Sequence, residues 1–350
     1  MSKRRKAVEA VGILMGGIGG ATVAAFIEVY DRIFPRFERP DYDLKPGIYC
    51  YDRISKELPR EELDIASKKN KLRAYYYKQD DSLGLVVVAH GMHSGADDYL
   101  PIIKYLYDNK FNVLSFNYTG TYESEGDSTV GMCQSLIDLD NVIEYIQNND
   151  EFKNQSLFLL GHSWGGYAVS SVIALKKNIK AVAAIAPMND GYNMFLEKGQ
   201  QYAGKAGLMP KPFFDVYQKY LFRKYTEYNG LIGINSADIP VLVAQGIDDK
   251  VITFDGQSIM AHKDEITNPN VKYYIGKGLC GDHDDIWHSV DSIVYRLECE
   301  SDLKLLKIQK GDSLTDEEKK EYYKTIDHYR YSEVNKDLMN QIIDLFKEAL

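Results

Sequence analysis

Residues 155–167, with the sequence QSLFLLGHSWGGY, predict a strand, a sharp turn and a helix in direct succession. The apolar run 157–160 is short enough for a fully buried strand, and apolar residues at helical spacing follow the turn. Between them lies a serine framed by glycines, in the pattern Gly161-x-Ser163-x-Gly165. In this context the pattern indicates a nucleophile elbow, a turn that presents a serine hydroxyl for chemistry.

The two glycines of this turn have a steric explanation. A serine held on a sharp strand-to-helix turn has a strained backbone, and side chains two positions before and after it would collide. Gly161 and Gly165 avoid that collision, so the hydroxyl of Ser163 can stand clear of the sheet. The alternative is a glycine-rich turn whose serine only caps the following helix.

The strand, the G-x-S-x-G turn and the helix together resemble the nucleophile-bearing part of the α/β-hydrolase family. The resemblance covers roughly residues 73–308. It implies an α/β fold with a doubly wound, mostly parallel central sheet and a helical cap insertion. It also implies a serine hydrolase of the esterase, lipase or acyl-peptidase type, with a triad in the chain order serine, acid, histidine.

A candidate for the acid follows a predicted strand. Residues 239–245, IPVLVAQ, have a strand pattern and lead into Gly246. In the family the carboxylate commonly lies three residues after this glycine, which favours Asp249. Asp248 is the alternative, and an acidic turn without catalytic meaning is the other interpretation.

A candidate for the histidine lies after the next predicted strand, 271–275. The glycine-rich stretch 276–285 contains His283, whose imidazole such a loop could bring to Ser163. We therefore predict His283 as the catalytic base. His288 is expected inside a helix, as a helix-surface or pocket-wall residue.

The strand pattern 85–89, LVVVA, ends in a His-Gly turn that resembles the family's oxyanion loop. Hydrolysis of a carbonyl needs backbone N–H donors where negative charge develops. Gly91 permits the tight turn, and we predict the amides of Met92 and Trp164 as the two donors. His90 is predicted to be structural, because a catalytic histidine here would be out of family order.

An acidic run beside His283 could be mistaken for a metal site. It contains Asp282, Asp284 and Asp285, followed by His288. Acids at the start of a helix complement the helix dipole, and we favour that explanation. The sequence therefore predicts no metal ion and no cofactor.

Strand and helix patterns alternate along most of the chain, which favours a doubly wound parallel sheet. Further strands are predicted at 72–79, 111–118 and 179–186, and helices at 54–71, 96–109, 130–147, 286–308 and 316–350. The purpose of the C-terminal helices is left open. So is the polar scaffold of the loop after 111–118, because Asn117 and Thr119 stand where the family usually has Asp and Arg.

Strand patterns stop between residues 188 and 238, where the resemblance predicts the cap. Its aromatic residues either line an apolar acyl pocket or form only the cap's own core: Tyr192, Phe195, Tyr202, Phe213, Phe214 and Tyr217. The predicted division is 1–34 (basic N-terminus and apolar helix), 35–71 (linker and helix), 72–187 (first part of the core), 188–238 (cap) and 239–350 (second part of the core with C-terminal helices).

The N-terminal segment combines a basic start, KRRK at 3–6, with an uncharged apolar run at 10–27. We predict a single membrane anchor within residues 7–30, close to the lower length limit for a spanning helix. The alternative is an apolar helix packed on a cytoplasmic protein. The basic start weakly favours an N-in orientation, whereas scattered cysteines weakly favour a reducing compartment.

Composition limits the classes of partner. The formal net charge of −9 argues against nucleic acid. The predicted function is hydrolysis of a carboxylic ester, including acylglycerols or other lipid-like esters, by Ser163, Asp249 and His283. The alternatives are a serine peptidase or amidase on the same fold, and a non-catalytic binding protein.

Overall fold

A central sheet of eight strands organises the computed structural model of this chain. We describe residues 28, 30–175, 178–203 and 211–350, without the side chains of 198–203 and 211–213. The strands are β1 (Glu61–Ser67), β2 (Asn70–Tyr77), β3 (Leu85–Ala89), β4 (Asn112–Phe116), β5 (Leu157–His162), β6 (Ala181–Ile185), β7 (Val241–Gly246) and β8 (Val271–Gly276). Their order in the sheet is β1-β2-β4-β3-β5-β6-β7-β8. The pairs β1–β2 and β2–β4 are antiparallel, and all the other pairs are parallel.

Helices cover both faces of this sheet. They are α1 (Leu100–Asp108), α2 (Gln134–Asn148), α3 (Trp164–Ser171), α4 (Gly191–Ala203), α5 (Lys211–Phe222), α6 (Gly230–Asn235), α7 (Val290–Gln309), α8 (Asp316–Tyr323), α9 (His328–Tyr331) and α10 (Lys336–Glu348). Strand side chains alternate between two cores: Val86 and Val88 pack with α1 and α10, whereas Leu85 and Val87 pack with α2 and α3. Burial on both faces explains why β3 is apolar throughout. The predicted doubly wound α/β architecture is confirmed.

The parallel strands bring distant parts of the chain to one edge. The carboxyl ends of β3, β5, β7 and β8 lie on the same side of the sheet, because these strands run parallel through β6. The loops that leave them carry Met92, Ser163, Asp249 and His283 respectively. In open α/β sheets this edge is where ligands bind.

The prediction of a helix at 54–71 is wrong. A short 3-10 turn at Tyr51–Arg53 precedes β1, which pairs antiparallel with β2. Within β1, Leu63 is partly buried and Ile65 and Ser67 are fully buried, while the residues between them are exposed. That period of two is the strand pattern, and the surrounding charges concealed it.

The predicted helix at 286–308 begins later than expected. Residues Asp285–Trp287 form a 3-10 turn, and the side chain of Ser289 caps α7 by accepting a hydrogen bond from the Ser292 amide. His288 therefore lies before the helix and not inside it.

Helices α4, α5 and α6 lie between β6 and β7, where the sequence predicts the cap. The domain boundaries themselves stay a prediction. The N-terminal anchor predicted for residues 7–30 lies outside the described residues, except for Glu28 and Tyr30. Among the helices that we describe, none combines the length and the apolar character that crossing a bilayer requires.

Candidate active site

The turn at Ser163 has the strained backbone that the sequence predicts. Ser163 has φ 56° and ψ −114°, values that a residue with a side chain rarely adopts. A Cβ on Gly161 would lie 2.3 Å from the carbonyl oxygen of Gly165, and a Cβ on Gly165 would lie 2.0 Å from that of Ala89. The two glycines are therefore required by the close approach of the backbone to itself. The strain supports a functional role for Ser163.

Replacing Gly165 by alanine is expected to destabilise the fold. The new Cβ would meet the backbone of Ala89, which lies within the central sheet and cannot move freely. We expect the free energy of unfolding, measured with urea, to fall by about 3 kcal/mol. Gly166→Ala is the matched control, because its nearest contact is the Pro187 Cβ at 3.0 Å. Equal losses for the two variants would contradict this explanation.

Ser163, His283 and Asp249 form a continuous hydrogen-bonded chain. The Ser163 hydroxyl lies 2.9 Å from His283 Nε2, and His283 Nδ1 lies 2.7 Å from Asp249 Oδ2. All three residues are buried. With Nδ1–H donating to the carboxylate, Nε2 is left as an acceptor for the serine proton. The three side chains thus have the geometry of a nucleophile, a base and a group that orients the base.

The carboxylate of Asp249 is itself held firmly. Its Oδ1 accepts hydrogen bonds from the amides of Val251 and Ile252, each at 2.8 Å. Its Oδ2 accepts from Gln245 Nε2 at 2.7 Å as well as from His283. These donors stabilise a negative charge next to the imidazole.

The two alternative residues take other positions. Asp248 is exposed, and its amide donates to the carbonyl of Gly281 at 2.9 Å, so it supports the loop that carries His283. His288 is 1% exposed, and burial holds its pKa well below the usual value. The expectation that His288 lies on a helix surface is wrong, because its chain segment pairs with Val334. His288 does line a cavity, as the pocket-wall alternative predicts.

The two predicted oxyanion donors come from two different segments at the carboxyl edge of the sheet. Trp164 follows Ser163 as the first residue of α3, and Met92 follows the turn after β3. Among the described residues, neither backbone amide donates a hydrogen bond to another group.

Both ring nitrogens of His90 are hydrogen-bonded within the fold. Its Nδ1–H donates to the Gly91 carbonyl at 2.7 Å, and its Nε2 accepts from the Tyr118 amide at 3.2 Å. Burial lowers the pKa of His90 to about 4, which fits a neutral structural residue.

Comparison with known proteins identifies the fold. A family model described as serine aminopeptidase, S33, matches residues 80–228. The esterase Pf2001 of Pyrococcus furiosus superposes with a TM-score of 0.52 at 20% identity, over 75% of this chain and 96% of that one. The chain has the α/β-hydrolase fold, and the match over residues 80–228 supports the α/β-hydrolase superfamily. These findings confirm the resemblance seen in the sequence.

The sequence relatives that match this chain are uncharacterized proteins. The uncharacterized protein YfhR of Salmonella typhi is 25% identical over 235 residues, which is 63% of this chain and 70% of that protein. The YfhR protein of Escherichia coli O157:H7 is 29% identical over 105 residues, 29% of this chain. That match spans only 36% of the E. coli protein. The fold and the family model together support a hydrolase.

A buried tyrosine that the sequence did not single out links the loops of the site. The Gly91 amide donates to the Tyr99 hydroxyl at 2.9 Å, and that hydroxyl lies 2.7 Å from His162 Nδ1. His162 Nε2 lies 3.2 Å from the carbonyl oxygen of His283. Burial, and then the neighbouring His283, lower the pKa of His162 to about 4, so it is neutral at pH 7. Neutral His162 can donate a hydrogen bond from Nε2–H to the His283 carbonyl and accept one at Nδ1 from the Tyr99 hydroxyl.

Removing this bridge is expected to slow turnover more than it weakens substrate binding. In Tyr99→Phe the Gly91 amide loses its acceptor and His162 loses its donor. The oxyanion loop and the His283 loop then lose a shared anchor, and we expect kcat to fall about tenfold with little change in KM. Tyr105→Phe is the control, since the Tyr105 hydroxyl bonds Asn340 on the protein surface. An equal effect of both variants would show that Tyr99 is not a positioning residue.

The acidic run beside His283 is mostly engaged in local contacts. Asp282 accepts from the His283 amide at 2.9 Å and from Lys250 Nζ at 3.0 Å. Potential ligand atoms of His162, His283 and Asp284 lie within 4.8 Å of one another. However, the nitrogens of both histidines already have the partners given above. The absence of a functional metal therefore stays a prediction.

A cavity of about 390 Å³ lies in front of Ser163. Its apolar wall consists mainly of Met132, Met188, Met194 and Ile252. The cap aromatics Tyr192, Phe195, Phe214 and Tyr217 instead pack with Tyr30 and Phe34 in a separate cluster. For the aromatic side chains that we describe, the structure thus favours the cap-core alternative over the lining of this cavity. Tyr202 and Phe213 lie outside the described side chains.

Proposed function

We propose that this protein is a serine esterase, which hydrolyses carboxylic esters through an acyl-enzyme formed on Ser163. The observation that carries the proposal is the hydrogen-bonded chain from Ser163 through His283 to Asp249, with Ser163 and His283 in the wall of a cavity that also has an apolar lining. A serine hydroxyl is a poor nucleophile at neutral pH, and a base at 2.9 Å that is oriented by a carboxylate remedies this.

In the first step Oγ of Ser163 attacks the ester carbonyl while its proton passes to His283 Nε2. Asp249 stabilises the resulting imidazolium through Nδ1–H. The carbonyl oxygen becomes an oxyanion, and the amides of Met92 and Trp164 are the donors that we assign to it. His283 then gives its proton to the departing alkoxide, the carbon–oxygen bond breaks, and an acyl-enzyme remains.

In the second step a water molecule repeats the sequence. His283 takes a proton from the water, whose oxygen attacks the acyl carbon. The bond to Ser163 breaks, and Oγ recovers its proton from His283. The products are a carboxylic acid and the free serine.

A panel of p-nitrophenyl esters and aminoacyl p-nitroanilides tests the reaction class. The apolar wall of the cavity supports an acyl group without charge, so we expect hydrolysis of the esters. Preference for the anilides would instead establish the peptidase alternative, which the description of the matching family model suggests. No turnover of either class, with Ser163 unreactive, would favour a binding protein. The proposed association with a membrane through residues 7–30 is tested separately, by fractionating the full chain against one that lacks residues 1–34.

A further inference from the structure

A second and larger cavity, of about 720 Å³, adjoins the one in front of Ser163. The two cavities share the wall residues Ser94, Tyr99, Val251, His283 and Asp284. The smaller cavity includes Ser163 and Met92 in its wall, whereas the described wall of the larger one contains neither. His283 therefore lies between the two cavities, and Ser163 lines only the smaller one.

The chemistry of acyl transfer distinguishes these two spaces. The acyl part of a substrate must contact the nucleophile and the oxyanion donors throughout the reaction. The leaving group must be next to the histidine, because it receives its proton from there. The larger cavity, which reaches His283 but not Ser163, therefore matches the leaving group.

Parts of the chain outside the catalytic loops complete the wall of the larger cavity. Lys45, Pro46 and Tyr49 come from the segment before β1. Ile293, Arg296, Leu297 and Glu300 come from α7, and Tyr331 from α9. The C-terminal helices, whose purpose the sequence left open, thus form one wall of a space beside His283.

The charges of this wall limit what it can hold. Three cations are already paired: Lys45 with Asp98 at 2.7 Å, Lys250 with Asp282 at 3.0 Å and Arg296 with Asp285 at 3.9 Å. Asp284 and Glu300 have no Lys or Arg partner among the described residues. The aromatic rings of Tyr49, Tyr99 and Trp287 also line the space. Acidic and aromatic walls suit a neutral or cationic polar group and disfavour an anion.

We propose that the larger cavity is the leaving-group site, so that the preferred substrates join a compact apolar acyl group to a bulky polar alcohol or amine that is neutral or positively charged. This inference rests on the proposed function. It specifies the substrate class of the ester reaction: esters whose leaving group is larger than their acyl group.

Narrowing the larger cavity tests the assignment. Leu297 lies in its wall but is 53% exposed, so Leu297→Trp can be made without disturbing the core. The substrates are S-butyrylthiocholine, with a bulky cationic leaving group, and S-ethyl thiobutyrate, with a small one. We expect the ratio of their kcat/KM values to fall about tenfold in Leu297→Trp. Leu305→Trp is the matched control: Leu305 is 57% exposed on the same helix and does not line the cavity, so the ratio should not change.

Two further comparisons make the proposal falsifiable. If Leu297→Trp leaves the ratio unchanged, or instead lowers activity on a long acyl chain such as S-ethyl thiolaurate, the larger cavity is not the leaving-group site. S-butyryl-3-mercaptopropionate replaces the cation by an anion, and wild-type enzyme should prefer the cation, less so at high salt. A preference for the anion would overturn the charge assignment. If S-ethyl thiobutyrate is hydrolysed by Ser163 in every variant, such failures concern this inference alone; if no ester is hydrolysed, the proposed function fails.

Discussion

Ser163→Ala is expected to lower kcat for ester hydrolysis by about 10⁶-fold, the largest effect of any single change in the chain. The variant has no nucleophile, so the acyl-enzyme cannot form, and the remaining catalysis comes only from binding and the oxyanion donors. Steady-state hydrolysis of a p-nitrophenyl ester measures the loss. Urea unfolding of the same preparation verifies that the variant is folded.

The matched control for this experiment is Ser171→Ala. Ser171 is a buried serine at the end of α3, and its hydroxyl makes no hydrogen bond within the part of the chain that we describe. Its replacement should leave kcat within about twofold of wild type, since a surface or spectator change rarely matters more. If Ser163→Ala retained a tenth of the wild-type rate, Ser163 would not be the nucleophile.

Asp249→Asn is expected to lower kcat by about 10⁴-fold. An asparagine has nearly the same shape, but its neutral side chain no longer stabilises the imidazolium. It also presents an N–H group that disfavours the base tautomer of His283. The effect should be on turnover, because Asp249 is buried behind His283 and does not line the cavity in front of Ser163.

The adjacent Asp248 offers a control with the same substitution. Asp248→Asn removes the charge of an exposed side chain that is one residue away from Asp249. The Asp248 amide still donates to the Gly281 carbonyl. We expect kcat to change less than about threefold. A larger loss in Asp248→Asn than in Asp249→Asn would exchange the roles of the two acids.

The triad candidates and the sheet were predictable because each has a strong local signature. The elbow at Ser163 needs glycines at fixed positions, and buried parallel strands are continuous apolar runs. Chain order then selected Asp249 and His283 from several acids and histidines. The structure brings these three residues within hydrogen-bonding distance, and their catalytic role is the part that experiment has to establish.

Features that depend on long-range contacts were not predictable in this way. The alternating pattern of β1 is short and surrounded by charges, and its pairing with β2 establishes it as a strand. In the sequence Tyr99 is one aromatic residue near the start of a predicted helix. Its hydrogen bonds to Gly91 and His162 depend on the tertiary structure, which no local pattern indicates. The same is true of α7, whose sequence does not indicate that it helps to enclose a space beside His283.

The loop that departs from the family pattern is a third case. Asn117 Oδ1 accepts from the Ala96 amide at 2.8 Å, and its Nδ2 donates to Glu123 at 2.8 Å. The amide and hydroxyl of Thr119 both donate to the buried carboxylate of Asp138. The polar scaffold is therefore present, but it is formed by partners that no local motif specifies.

Reaction of the folded protein with a fluorophosphonate, followed by mass spectrometry of its peptides, most directly tests whether these residues activate a serine. The expected result is one adduct, on Ser163, that forms at least a hundredfold more slowly in His283→Ala, since the hydroxyl then has no base. An unreactive Ser163 in folded wild-type protein, or labelling that does not depend on His283, would contradict the proposal that this chain is a serine hydrolase.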